Sequence, residues 1–229
     1  MCIRDRSVWC IAREDETSVV IDKPALQSLD KRQRVALVNS LPGFKPVVLV
    51  GTVNEDNRTN LCVINSCFHV GADPALMGMI IRPAPEGTER HTLENILATK
   101  TYSINAVTRD MAQRAHHTSA RFDRDQSEFD ACGFTEYRHE DFTAPFVTES
   151  PLQLGLALAE YLPLTINGTH LIIGSIEKIH ASDHARRDDG TLDLQSMDIV
   201  AGVGLDAYHS VSTGQRFSYA KPDRPPELI

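Results

Sequence analysis

Between Pro46 and Arg82 the sequence reads PVVLVGTVNEDNRTNLCVINSCFHVGADPALMGMIIR, and this stretch limits the fold more than any other. An apolar run from Val47 to Val53 ends in the turn cluster Asn54-Glu55-Asp56-Asn57. A second apolar segment, Leu61 to Phe68, is dotted with small polar residues, and a third runs from Leu76 to Ile81. Two strands joined by a short Asn/Asp-rich turn predict a β-hairpin. The block HTLENILATK then places Leu93, Ile96 and Leu97 at helical spacing, with Thr92 in position to cap the helix. A strand-rich unit feeding a helix presents backbone N–H groups that suit an anion.

The flanking sequence predicts further elements. Pro24 to Leu41 has helical spacing, with Lys31, Arg32 and Arg34 as a solvated face, and Pro42-Gly43 ends it. Thr101 to Val107 reads as a strand, and Asp110 is placed to cap a short helix through Met111, Ala112 and Ala115. Ser127 starts another short helix that Gly133 closes. A polar linker, Thr135 to Thr143, leads to two long apolar segments, Leu152 to Leu162 and His170 to Ile179. In the second, Ile172, Gly174 and Ile176 alternate with Ile173, Ser175 and Glu177, as a barrel strand requires. Ala181 to Ser196 is polar, Ile199 to Leu205 is a short apolar piece, and the Pro-rich end from Lys221 predicts an arm.

Composition narrows the function classes. A chain of 229 residues suits one domain. Its net charge of −8 argues against a nucleic-acid surface, which needs clustered Lys and Arg. No apolar run approaches the ~20 residues of a membrane span. Five cysteines without a C-x-x-C pair fit a reduced, cytoplasmic protein better than a disulfide framework. The opening MCIRDR resembles a translated sequencing adapter, so residues 1–12 are set aside as a non-native or disordered leader, together with Cys2 and Cys10. Residues 13–229 remain as a single domain with its C-terminal arm, and Cys62, Cys67 and Cys132 as its thiols.

Several blocks in order, PVVLVGTVNEDNRTNLCVINS, SCFHVGADPALMGMIIRP, RHTLENILATKTYSIN, AHHTSARFDRDQSEFDACGF, APFVTESPLQLG and NGTHLIIGSIEKI, resemble the flavin reductase-like proteins with an FMN-binding split barrel. The likeness spans roughly residues 40–220. It implies a mainly β fold: a Greek-key split β-barrel with short peripheral helices and an N-terminal helix. It further implies FMN as cofactor, with FAD or riboflavin as alternatives, and NADH or NADPH as hydride donor. A homodimer is expected, because a second copy covers an exposed barrel edge. The electron acceptor, a small molecule or a partner monooxygenase, is left open. The leading function is an NAD(P)H-dependent flavin reductase; the alternative is a non-enzymatic FMN electron-transfer protein of the flavoredoxin type.

Site residues follow from the same likeness. Thr52 and the strand Asn60, Leu61, Cys62, Val63, with Asn65 and Ser66, stand where the isoalloxazine edge is bound. Here the strand reads N-L-C-V-I-N where relatives often have N-L-A-P-F-S, so Asn65 and Ser66 take over the hydrogen bonding. Cys62 and Ile64 also read as plain core residues. Arg82, Arg90, His91 and Thr92 precede a helix and suit the phosphate. An ordinary N-cap beside basic residues is the competing interpretation of Thr92. His116 and Ser119 fall along the flavin pocket. His116-His117 invites a zinc assignment, but no further ligands stand at metal-like spacing, so no metal site is expected. His170, in G-T-H where short flavin reductases have G-D-H, is the expected catalytic residue on the nicotinamide side. Lys45-Pro46 replaces the more usual Arg-Pro and loses the bidentate fork. No G-x-G-x-x-G fingerprint is present, so a Rossmann domain is not indicated.

Overall fold

A computed structural model describes residues 19–212 and 214–229; the leader expected at 1–12 lies outside the described residues. Two helices, α1 (Lys23–Ser28) and α2 (Lys31–Ser40), come first. Strands β1 (Lys45–Pro46), β2 (Val48–Val53), β3 (Thr59–Ile64), β4 (Cys67–Ala72) and β5 (Ala75–Ile81) lead to α3 (His91–Thr99) and β6 (Thr101–Ala106). Helices α4 (Ala112–His117) and α5 (Glu128–Ala131) precede the short pair β7 (Glu136–Tyr137) and β8 (Phe146–Val147). The long hairpin β9 (Leu152–Leu164) and β10 (Thr169–Ala181) follows, then β11 (Val200–Val203) and β12 (Ala207–Ser210).

The order of the main sheet, β3-β2-β6-β9-β10-β5-β4, dictates its shape. The strands β3 and β4 are consecutive in the chain yet sit at opposite ends of the sheet. Three residue steps, from Ile64 to Cys67, reach at most roughly 11 Å. In a flat sheet of seven strands the two ends would stand roughly 29 Å apart. The sheet therefore curls until its ends nearly meet, and Asn65-Ser66 bridges the gap. Ser66 fastens the bridge by donating its hydroxyl to the Ile80 carbonyl at 2.6 Å.

This corrects the expectation of one apolar segment from Leu61 to Phe68. The segment is two strands with different partners, β2 for β3 and β5 for β4. The expected hairpin forms, with Thr52 paired to Asn60 and Val48 to Ile64. The helix expected over Pro24–Leu41 is also two. Leu29 is extended and buried, and the Asp30 carboxylate accepts the N–H groups of Arg32 and Gln33 to cap a new helix. Asp110 does not cap. It lies inside a 3-10 turn, Arg109–Met111, whose cap position is Thr108. Ser127 does cap, accepting the Phe129 N–H, and Gly133 takes the left-handed conformation.

Alternation along β2 sends its residues into two cores. Val48 and Val50 face the barrel interior with Met79, Ile81, Tyr102, Ile104, Leu156 and Ile172, and α3 seals it with Leu93 and Ile96. Leu49 joins Leu61, Val107, Met111, Phe129 and Phe134 in a second core beneath α4 and α5. Each such side chain contributes about 1.5–3 kcal/mol when fully buried. Gly174 on β10 makes room for Tyr102, since a Cβ there would collide with the phenol oxygen.

Candidate functional site

A cavity of about 850 Å³ opens where the two ends of the curled sheet approach. The end of β3 with Asn65 and Ser66 forms one wall, and Ile80, Ile81 and Arg82 form another. The β5–α3 loop and the first turn of α3, the segment after α4, and the β11–β12 turn complete it.

As an edge strand, β3 needs partners for its outward groups. The segment between α4 and α5 supplies them with side chains. Thr59 Oγ1 and Ser127 Oγ share a hydrogen bond of 2.8 Å, the Leu61 N–H donates to Glu128 Oε2 at 2.9 Å, and the Val63 N–H donates to Thr118 Oγ1 at 2.9 Å. Pinned at both ends to β3, residues 119–124 bow outward and line the cavity. Two N–H groups of the strand expected along the isoalloxazine edge are thus already taken within the chain. Beyond them stands Asn65, whose Nδ2 donates to the Gly204 carbonyl at 2.8 Å.

The phosphate candidates cluster as expected, but Thr92 is not the cap. The helix α3 starts at His91, the cap position falls to Arg90, and no side chain caps it. The start shifts because Arg90 is anchored twice. Its N–H donates to Glu94 Oε1 at 3.1 Å, and its Nε reaches the Arg82 carbonyl at 3.2 Å. Thr92, buried, accepts a hydrogen bond from Asn60 Nδ2 at 3.1 Å. The first-turn N–H groups of α3 therefore lie in the cavity wall without a side-chain cap.

The surrounding cations are mostly engaged. Arg82 Nη2 donates to Asn39 Oδ1 at 2.6 Å, and Lys45 Nζ holds the Asn39 and Gly204 carbonyls, each at 3.2 Å. Burial, then the charge of Arg82, pushes the Lys45 ammonium below its ordinary value. Arg124 pairs with Glu89 at 2.8 Å and with Glu94, joining the two loops on either side of the cavity. His91 stands 3.5 Å from Glu89. Arg121 lines the cavity and makes no ion pair among the described residues. His116 Nδ1 meets the Tyr208 hydroxyl at 3.1 Å, and Ser119 donates to the His116 carbonyl at 2.7 Å.

Cys62, Val63 and Ser66 line the cavity with these residues. Burial, then the nearby Glu128 charge, pushes the Cys62 thiol up to about 11. The thiol stays protonated at neutral pH and is a weak nucleophile. Three expected residues stand elsewhere. Thr52 is buried and accepts from Asn95 Nδ2 at 3.1 Å, behind β3. Leu61 points into the second core. His170, opening β10, stacks on Tyr161 at 5.8 Å between ring centroids, with Nδ1 3.0 Å from the tyrosine hydroxyl. It is not among the cavity-lining residues.

Glu128, Thr118, Arg121, Arg124 and Tyr208 are wall residues that the sequence did not single out. A Glu directly after a Ser cap is ordinary helix chemistry, so Glu128 carries no local signal. Nor does Tyr208, in a four-residue strand that only pairing with β11 defines.

Residues 44–196 match the flavin reductase like domain family. A solved structure from Shewanella frigidimarina NCIMB 400, described as a flavin reductase with split barrel domain, is 44% identical with a TM-score of 0.85. That match covers 89% of this chain and 100% of the other. Nitrilotriacetate monooxygenase component B from Bacillus cereus is 17% identical, with a TM-score of 0.76 over 86% of this chain and 97% of its own. Flavoredoxin of Desulfovibrio vulgaris (Miyazaki F) is 23% identical, with a TM-score of 0.64 over 79% of this chain and 91% of its own. At those identities the last two speak to the fold alone. The curled sheet is thus a split barrel, mainly β with short helices, and the chain belongs to the flavin reductase like domain family.

Proposed function

We propose that this protein is an NAD(P)H-dependent flavin reductase that binds FMN in the cavity at the barrel split. The observation that carries the proposal is the uncapped start of α3 in the cavity wall, with Arg90, His91 and Thr92 around it. A helix N-terminus flanked by cations suits a phosphate, and favours FMN over riboflavin. The fit extends to size and lining. About 850 Å³ lies within the ~300–1,000 Å³ usual for cofactor sites. Val63, Ile64, Ile81 and Phe122 give apolar walls for a flat ring, and Asn65 and Ser66 stand at its polar end.

When bound, the flavin supplies the redox chemistry, accepting hydride from nicotinamide and passing electrons on. The chain's own residues hold and orient it and shield it from water. Cys62, kept as a thiol, acts as part of the wall.

A homodimer belongs to this proposal. Among the described residues the strand β4 is paired on one side only, and Phe68 and Val70 are exposed, at 42% and 41%. A second copy covering that edge would remove a pairing hazard. It would also give His170 a route to a nicotinamide-side role, since in its own chain this residue lies off the cavity. That same placement favours a second interpretation, an electron-transfer flavoprotein without its own nicotinamide chemistry. The deciding experiment is an absorbance spectrum of FMN-loaded protein under anaerobic titration with NADH, then NADPH. Bleaching of the flavin's visible absorption band is expected. A yellow protein that dithionite bleaches and neither nucleotide does would favour the electron-transfer interpretation. A protein that does not bind FMN would overturn both.

A further inference from the structure

Glu128 is a buried ionisable group that the proposed function does not use. It is 6% exposed and lines the cavity. Its Oε2 accepts the Leu61 N–H at 2.9 Å, and its own N–H lies close by. An ionised carboxylate has about four acceptor positions to satisfy. A buried charge without a partner cation is costly. The titratable groups beside Glu128 are thiols, Cys62 on β3 and Cys132 just past α5. Arg90 faces Cys62 from the start of α3, and no Arg, Lys or His among the described residues forms an ion pair with Glu128.

A ligand ring in this cavity would close off the remaining exposure of the carboxylate to water. It also offers carbonyl oxygens, to which a neutral acid can donate and a carboxylate cannot. A flavin phosphate adds negative charge. All three changes favour the protonated form. We propose that Glu128 contacts bound flavin as a neutral carboxylic acid, so that flavin binding takes up a proton from solvent. This rests on the flavin proposal above. Burial already raises the carboxyl above its ordinary value, which moves the window of uptake upward in pH.

The test uses riboflavin, because the second phosphate ionisation of FMN, near pH ~6, would add its own protons. Titration calorimetry in buffers of different ionisation enthalpy gives the protons exchanged. A fractional uptake is expected for the unmodified protein between about pH 5 and 8, and none beyond the histidine background for Glu128→Gln. Gln keeps an acceptor for the Leu61 N–H, and His91 and His116 are common to both proteins, so the difference isolates Glu128. Should the variant not fold, the unmodified protein decides alone. Its riboflavin affinity should weaken with rising pH, by up to about tenfold per pH unit, the limit for one linked proton. Equal proton counts in both proteins, or an affinity flat across the range, would overturn the inference while leaving the flavin site standing. Absence of binding by either flavin would overturn the flavin proposal, and this inference with it.

Discussion

The two edges of the barrel sheet are treated in opposite ways. At β3 the outward N–H groups of Leu61 and Val63 are met by Glu128 and Thr118, and the Thr59 hydroxyl by Ser127, side chains of a segment that continues over the cavity. At β4 the outer edge has no strand partner among the described residues, and Phe68, His69 and Val70 are exposed. The difference shows that edge protection and site building are one operation at β3. The segment that satisfies the strand also walls the cavity. At β4 protection falls to something outside the chain, and we propose a second copy.

The largest blow to the β3 arrangement should come from its apolar anchor. Phe129 is 1% exposed and packs α5 against Leu61. Phe129→Ala should cost about 3–5 kcal/mol in urea unfolding. A loss under 1 kcal/mol would mean that hydrogen bonds alone hold the segment to β3.

Thr92→Val comes next and probes the cavity side. If the hydroxyl serves the phosphate, FMN affinity should fall by about 1.5–3 kcal/mol, with riboflavin little changed. Equal losses would assign Thr92 to its bond with Asn60 alone.

Glu128→Ala leaves the Leu61 N–H unpaired and should cost about 1–3 kcal/mol, whereas Glu128→Gln should nearly preserve stability at low pH. The pH sign follows from burial. The folded carboxyl holds its proton more tightly than the unfolded one. Between the two pKa values the folded state binds more protons, so stability falls as pH rises. Glu128→Gln should remove that slope in chemical unfolding across pH 4–8, and a slope unchanged by the variant would contradict the assignment.

The smallest effect on stability is expected at the bare edge. Val70→Lys should change unfolding free energy by under about 0.5 kcal/mol. If a second copy covers β4, the same variant should shift sedimentation from dimer to monomer. A monomer in the unmodified protein, or a dimer indifferent to the lysine, would leave the edge without its proposed cover.

These regions were unequally legible. The barrel interior could be read from the sequence, because alternation in Ile172–Gly174–Ile176 and the runs at Val47–Val53 and Leu76–Ile81 report burial directly. Asn60, Cys62 and the Arg90-His91-Thr92 block, which line the cavity, stood out because local pattern and family likeness coincided there, although the strand expected over Asn60–Ser66 ends at Ile64. What failed to show was cross-chain chemistry. Nothing around Thr118 or Glu128 states that their side chains will replace a neighbouring strand. The misplaced cap had a similar cause, since Arg90 is anchored by carbonyls of Arg82 and Pro83 that only the folded loop brings near. The break at Asn65-Ser66 was hidden because both strands it separates are apolar, and pairing partners leave no trace in period.

That two-residue bridge has a consequence in time. The halves it joins, β3-β2-β6 on one side and β5-β4 on the other, are hydrogen-bonded into one sheet through the β9–β10 hairpin inserted between β6 and β5. The hairpin ends at Ala181, about a hundred residues after the bridge has been synthesised. Contacts so distant in sequence form late and slowly. A nascent chain that has already emerged past α3 therefore carries all four candidate phosphate-binding residues, yet it has no closed barrel to set them around, and the cavity comes into being only as the ribosome completes the second half of the protein.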